Sequence, residues 1–412
     1  MATIAARFGP SSADRRSLTE ALAGARAGDV VLVGPGVYSP ARTRETVPLR
    51  VPPGVSVVGA DHTTCVIDGD GLFEPSFDPI QLESAVVILG EGARLSGVTV
   101  RNGGGHGVVI PPGVTAEVHD SAISGHGQHG LYLCGVAEAL VTGCRFFDNG
   151  LKRFEPAVHG AKARQGHHVF ATAQEGQRNR VIVVDNTMQA CFADGIAVVC
   201  LPAPDEVTLS TTILRNTIER SERSGLLFSA SFGSTRNRHR IVAADNVLRD
   251  NAQFGIGIIG AIPLAQPRPR ENELSAVVAG NTISGSTMGI FVRGAVGDAQ
   301  RNHCDVTVDR NDVSGYSAHA IRLVAGLGTE GVTTSDNTID AALSRNTLSG
   351  GIPAVLVESA SGAGDVRNNR VVVQLLDNRT DVPSEAAIVV GKGADGNDVH
   401  VTPGSQGCGR MT

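Results

Sequence analysis

Residues 304–323 read CDVTVDRNDVSGYSAHAIRL, and three signals follow one another in them. Cys304-Asp-Val-Thr-Val-Asp309 alternates apolar and polar residues with period two, as a half-buried strand does. Asn311-Asp-Val313 then sets an asparagine two residues before an apolar one. Ala320-Ile-Arg-Leu323 closes the stretch as small–apolar–x–apolar.

Working outward, the closing signal recurs. It is seen at Gly107-Val-Val-Ile110, Gly130-Leu-Tyr-Leu133, Gly195-Ile-Ala-Val198, Gly225-Leu-Leu-Phe228, Gly255-Ile-Gly-Ile258 and Gly289-Ile-Phe-Val292. Ala354-Val-Leu-Val357 and Ala387-Ile-Val-Val390 continue it, and His168-Val-Phe-Ala171 is a degenerate member. Successive starts lie 23 to 38 residues apart. The asparagine recurs as Asn186, Asn216, Asn246, Asn281, Asn311, Asn346 and Asn369, with Ser121 and Cys144 in its place earlier. No repeat holds a helical period long enough for a βαβ unit. Self-similarity at this period means stacked coils. The expected fold is all-β, a right-handed parallel β-helix of about ten coils at ~4.8 Å per coil. The asparagines are expected to stack inside the turns and satisfy buried backbone groups there.

Composition agrees. Of 412 residues, 51 are Gly and none is Trp, which suits tight turns and a narrow interior of small and β-branched side chains. There is no three-residue glycine period, which excludes collagen. Nor is there an apolar run long enough to span a membrane. A net charge of −6 lacks the basic footprint of a nucleic-acid binder. Seven cysteines (65, 134, 144, 191, 200, 304 and 408) are odd in number with no CxxC pair, so neither a disulfide framework nor a zinc site is expected. The N-terminus lacks a signal-peptide h-region, giving the expectation of a cytoplasmic product. Ser17-Leu-Thr-Glu20 fits a capping box opening a short helix to about Arg26, which would plug one end of the solenoid. The expected organisation is one domain over residues 1–412. Residues 15–60 form the cap and first coil, 61–400 the coils with an insertion near 150–164, and 401–412 a tail.

Together these repeats resemble the pectate-lyase-like superfamily in its right-handed β-helix repeat branch, over about residues 15–400. The resemblance implies carbohydrate chemistry, with substrate lying along one outer sheet between long loops. The acidic calcium cluster of pectate lyases, the paired Asp motifs of polygalacturonases and the Asp-Pro-His-Asp motif of alginate epimerases have no match here.

Strand alternation turns outward the pairs Val109/Pro111, Tyr132/Cys134, Ala197/Val199, Leu227/Ser229, Gly257/Ile259, Phe291/Arg293, Arg322/Val324 and Leu356/Glu358. This makes one outer sheet an apolar trough, walled by loops at 200–206, 230–239, 260–273, 294–303 and 325–341. Arg293 and Arg322, on adjacent coils, are placed to hold a carboxylate or stabilise an enolate-like charge. Tyr132, His129, His168 and Asp194 are the candidates for proton transfer. His106 and His129 stack one coil apart just before the strand. Phe291, Leu227, Ile259, Leu356 and Glu358 are the expected substrate contacts. His167, His239, His303 and His319 are further scattered histidines. The clusters Asp68-Gly-Asp70 and Asp395-Gly-Asn-Asp398 read as turns, since the calcium-loop spacing is absent. No cofactor and no metal are expected.

The leading expectation is an enzyme acting by acid–base chemistry on a carbohydrate or uronic-acid-like substrate, as a lyase, glycoside hydrolase or transferase, or epimerase. An isomerase or cyclase of a small apolar metabolite is the second. A non-catalytic homo-oligomer, such as a trimer occluding the apolar face, is the third.

Overall fold

The computed structural model describes residues 3–6, 17–73, 82–151, 166–175, 178–201, 205–263, 268–351, 353–381, 387–391 and 396–403. The chain forms about eleven parallel coils, close to the ten expected. It divides into two compact units, residues 1–172 with 180–196, and residues 173–179 with 197–412.

In the first unit each coil contributes one strand to each of three parallel sheets. Thr115–His119, Ala122–Ser124 and Leu131–Cys134 show the order. The strand Val30–Val33 follows the helix within the 15–60 segment expected to hold the cap and first coil. The helix Leu18–Gly24 packs against the strand Leu49–Val51 and buries Leu18, Ala21 and Leu22. Ser17 Oγ accepts the Glu20 N–H at 3.1 Å, as a capping box requires. A second cap comes from a distant residue: buried Glu45 accepts the Leu18 N–H at 3.0 Å and the Thr19 N–H at 2.7 Å. A carboxylate at a helix N-terminus is favoured by the dipole and the open N–H groups.

The second unit repeats the plan with longer strands. Its third sheet holds Leu226–Ser229, Phe254–Ala261, Met288–Val296, His319–Gly328, Val355–Gly362 and Ile388–Gly391. Several segments expected as loops are therefore strand, among them 294–296 and 325–328. The expected insertion lies mostly outside the described residues, as do Asp395 and the tail beyond 403.

The asparagines do what their spacing predicts. In the second unit, Asn246, Asn281, Asn311, Asn346 and Asn378 each accept the backbone N–H of the ladder asparagine one coil earlier, at 2.9–3.1 Å. The same oxygens take that residue's side-chain N–H at 2.8–3.1 Å. Their own amides donate to backbone carbonyls, as Asn281 does to Ala243 O at 2.9 Å. Ser121 and Cys144 hold the equivalent place in the first unit, Cys144 N–H donating to Asn186 Oδ1 at 2.8 Å. Asn369 belongs elsewhere. It continues a second ladder of Asn237, Asn272, Asn302, Asn337 and Asn397, while Asn378 extends the first. The residue before each first-ladder asparagine has a left-handed backbone, including Arg215, Asp245, Arg310 and Arg345 at φ 52° to 55°. Such a conformation costs ~1–2 kcal/mol in an L-residue, a cost the buried amide bonds offset.

Asp68 confirms the turn reading of its cluster. Its carboxylate accepts from Asp70 N–H, Asn102 Nδ2 and Arg101 Nε at 3.0, 3.0 and 2.7 Å.

Asn281→Ala leaves buried groups on two coils unsatisfied. It is expected to cost about 1–3 kcal/mol for each group so stranded, read as a lower urea midpoint. An unchanged midpoint would show that the ladder is dispensable.

Candidate functional site

Burial separates the sheets. On the first sheet of the second unit, Arg238–Ala244 alternates, with Arg238 and Arg240 exposed and His239 and Ile241 buried. On the third sheet, Leu226–Ser229 is buried at every position, inward and outward alike. The outward residues Val109, Tyr132, Ala197, Leu227, Ile259 and Phe291 are all buried within one chain. The apolar residues of the expected trough are thus covered, while Phe254, Arg293, Arg322, Leu356 and Glu358 are half-buried.

In the first unit the outward cluster is Ala85, Ile88, Val109 and Tyr132, with Leu82, Cys134 and Phe170 packed on it. His106, His129 and His167 stack beside it, with ring centroids 5.1 Å apart at each step. The predicted pairing of His106 with His129 is present, and His167 rather than His168 extends it. His129 Nδ1 accepts the His167 N–H, and His167 Nδ1 accepts the Asp194 N–H, each at 3.2 Å. The neutral His129 ring therefore carries its proton on Nε2. Asp194 Oδ2 lies 3.4 Å from His167 Nδ1. His168, expected on the outer face, is turned inward. Asn149 Nδ2 donates to its Nδ1 at 3.0 Å. The reason is register: His168 occupies the column of Gly107 and Gly130, where a side chain enters the interior. A Cβ at Gly130 would sit 2.7 Å from Asn149 Nδ2.

Tyr132, His129 and Asp194, expected on an accessible face, are likewise buried. Burial drives His129 well below its ordinary value, and His106 and His168 to about 3. Among the described residues no group of three or more His, Cys, Asp or Glu side chains is arranged to hold a metal ion.

In the second unit the register sets Leu227, Gly257, Phe291, Arg322 and Leu356 in one column. Ser229, Ile259, Arg293, Val324 and Glu358 form the next. Arg293 and Arg322 are therefore diagonal neighbours. Both guanidiniums lie against the Phe291 ring, at 5.4 and 5.7 Å from its centroid. Phe254 packs on Phe291 at 4.9 Å. Arg322 is committed: its Nε and Nη2 donate to Glu358 Oε2 at 2.9 and 2.7 Å, and Nη2 to Ser361 Oγ at 3.2 Å. Arg293 has no carboxylate partner among the described residues, and its Nε is buried without a hydrogen bond. Burial and the neighbouring Arg322 lower its pKa to about 10, which leaves it charged at neutral pH.

His319 pairs in register with Met288, and its Nδ1 lies 3.4 Å from Pro353 O. Its pKa is lowered, mainly by burial, with Arg322 and Glu358 acting on it in opposite directions. The sequence left His319 among the scattered histidines, although its place three residues before Arg322 puts it beside the site. Phe254 and Ser361 carried no sequence signal.

A family model described as right handed beta helix region matches residues 84–261. The protein is a right-handed parallel β-helix. A second model, described as Protein of unknown function (DUF1565), matches residues 5–149. No curated protein matches the chain. Among solved structures, this β-helix is similar to the catalytic unit of a thermostable GH87 alpha-1,3-glucanase from Streptomyces thermodiastaticus. The TM-score is 0.49 at 16% identity, over 94% of this chain and 66% of that one. A pectate lyase gives 0.46 at 16%, over 77% and 78%. A mannuronic acid specific family 6 polysaccharide lyase from human gut microbiota gives 0.45 at 11%, over 96% and 92%.

The buried histidines make the β-helix acid-labile. His106, His126, His168 and His239 are held at about 3, 4, 3 and 3 by burial. Below the unfolded value of 6.5 the unfolded chain takes up protons that the folded chain refuses. Stability is thus complete above pH 6.5 and falls as pH drops toward 4. His126→Asn removes one such group. It is expected to flatten the fall by up to about 1.4 kcal/mol per pH unit, measured by urea denaturation from pH 7 to 4.

Proposed function

We propose that this β-helix is a carbohydrate-active enzyme of the lyase or epimerase kind, working on an acidic sugar at the outer face of the third sheet in its second unit. The observation that carries the reading is Arg293, a cation against the Phe291 ring with no carboxylate partner among the described residues, whose neighbour Arg322 acts on a neutral histidine, His319.

The chemistry follows from the groups present. Half-buried Phe254, packed on buried Phe291, offers an apolar ring for a sugar face to rest against. Hydrolysis by the usual route needs two carboxyl groups flanking the bond. Among the described residues of this cluster Glu358 is the carboxylate, and it is tied to Arg322. Proton abstraction needs less: a base, and a cation to stabilise the charge that forms. His319 is neutral near pH 7 and takes a proton from the carbon next to the sugar carboxylate. The electron pair spreads onto the carboxylate, where Arg293 stabilises it. In elimination the pair then forms a carbon–carbon double bond, the glycosidic C–O bond breaks, and the proton goes to the leaving oxygen. In epimerisation the carbon regains a proton on its other face.

His319→Ala is expected to lower kcat by about 10²–10⁴-fold while leaving glycan affinity within a few fold, measured on uronate oligosaccharides by ultraviolet absorbance of the new double bond or by NMR. The wild-type rate is expected to fall on acidification, below the lowered pKa of His319. Full turnover by the variant would remove His319 from the mechanism.

A further inference from the structure

Among the described residues, two guanidiniums, Arg293 and Arg322, lie against Phe291, and one carboxylate, Glu358, pairs with Arg322. The charges are not shared equally. Glu358 Oε2 takes both the Nε and Nη2 donors of Arg322, and Ser361 takes a further contact from Nη2. Arg293 has no carboxylate partner among the described residues, and its Nε sits buried without a hydrogen bond. An unmet buried donor on a charged group is costly, and a ligand that supplies the acceptor recovers that cost. A planar fork fits a carboxylate through two parallel N–H···O bonds.

From this we infer that the site counts charge. Arg293 is the subsite for one sugar carboxylate, and Glu358 occupies Arg322 so that it cannot become a second. The substrate class is a glycan whose acidic sugar is flanked, at the neighbouring position, by a neutral one. Carboxylates on two successive sugars would set the second against Glu358. The inference rests on the proposed carbohydrate reading and narrows it from acidic sugars in general to isolated ones.

The register supports this division. Arg293 stands in the Ile259–Val324–Glu358 column and Arg322 in the Phe291–Leu356 column, so Glu358 lies diagonally from Arg322 on the next coil. Both partners of that pair are mostly buried. A partly buried charge pair of this geometry holds its partners more firmly than an exposed one.

The test is calorimetric binding with three matched oligosaccharides. One carries alternating uronate and neutral sugars, one is a continuous oligouronate, and one is the alternating glycan with its carboxyls reduced to alcohols. The wild type is expected to bind the alternating glycan most tightly. Arg293→Gln weakens that binding by on the order of 30-fold or more, and Arg293→Lys, which keeps the charge without the fork, weakens it less. Glu358→Gln is expected to tighten binding of the continuous oligouronate by about tenfold. Thermal melting confirms that each variant is folded. Equal binding of the acidic and carboxyl-reduced glycans would overturn the Arg293 subsite while leaving the carbohydrate reading in place. No gain by folded Glu358→Gln would overturn the role of Glu358. Failure of all three glycans to bind the wild type would overturn both the subsite and the reading beneath it.

Discussion

The backbone amide at each turn of a parallel coil has no partner within its own coil, and burial denies it water. The asparagine ladders answer this. One carboxamide oxygen takes the backbone N–H of the preceding coil's asparagine, and the amide donates to a carbonyl of its neighbourhood. Each ladder residue thus depends on the coil next to it. Register follows, because a coil displaced by one residue would strand these groups and turn every strand residue to the opposite face. The left-handed turns at Arg215, Asp245, Arg310 and Arg345 persist because the ladder holds them.

Register in turn builds the site. Phe291, Arg293 and Arg322 come from strands 31 residues apart in their matching positions, yet the pairing of Phe291 with Arg322 brings both guanidiniums onto one ring. The same parity decides the histidines. His167 joins the stacked column beside Phe170, while His168, one residue on, enters the interior and meets Asn149. A histidine's neutrality is set by which side it falls on only in part, since both sides of the third sheet are buried in the first unit.

Much of this was legible in the sequence. The period-two strands, the asparagine at fixed offset and the small residue before each third-sheet strand are short-range signals. The adjacency of Arg293 and Arg322, and the stack of His106 on His129, followed from counting one coil. What failed to show was of longer range or ambiguous parity. The second ladder of Asn237, Asn272, Asn302 and Asn337 sits just ahead of the first-sheet strands and has no fixed companion residue. Glu45 caps a helix 27 residues earlier in the chain. Glu358 was readable as an outward residue of the third sheet, but its pairing with Arg322 was not, because side-chain pairing across coils depends on diagonal geometry. Whether the outer face is open or covered is a property of tertiary packing, and the apolar pattern of Val109, Tyr132, Leu227 and Phe291 is the same in either case.

The two cations at Phe291 differ: among the described residues, Arg322 has a carboxylate partner in Glu358 and Arg293 has none. The most direct measurement is a crystal structure of the protein soaked with an oligosaccharide containing one uronate. The expected result is the carboxylate in two-point contact with the Arg293 guanidinium, a sugar ring against Phe254, and the Arg322–Glu358 pair intact. A sugar bound on another sheet, or a carboxylate bonded to Arg322 with Glu358 displaced, would contradict it.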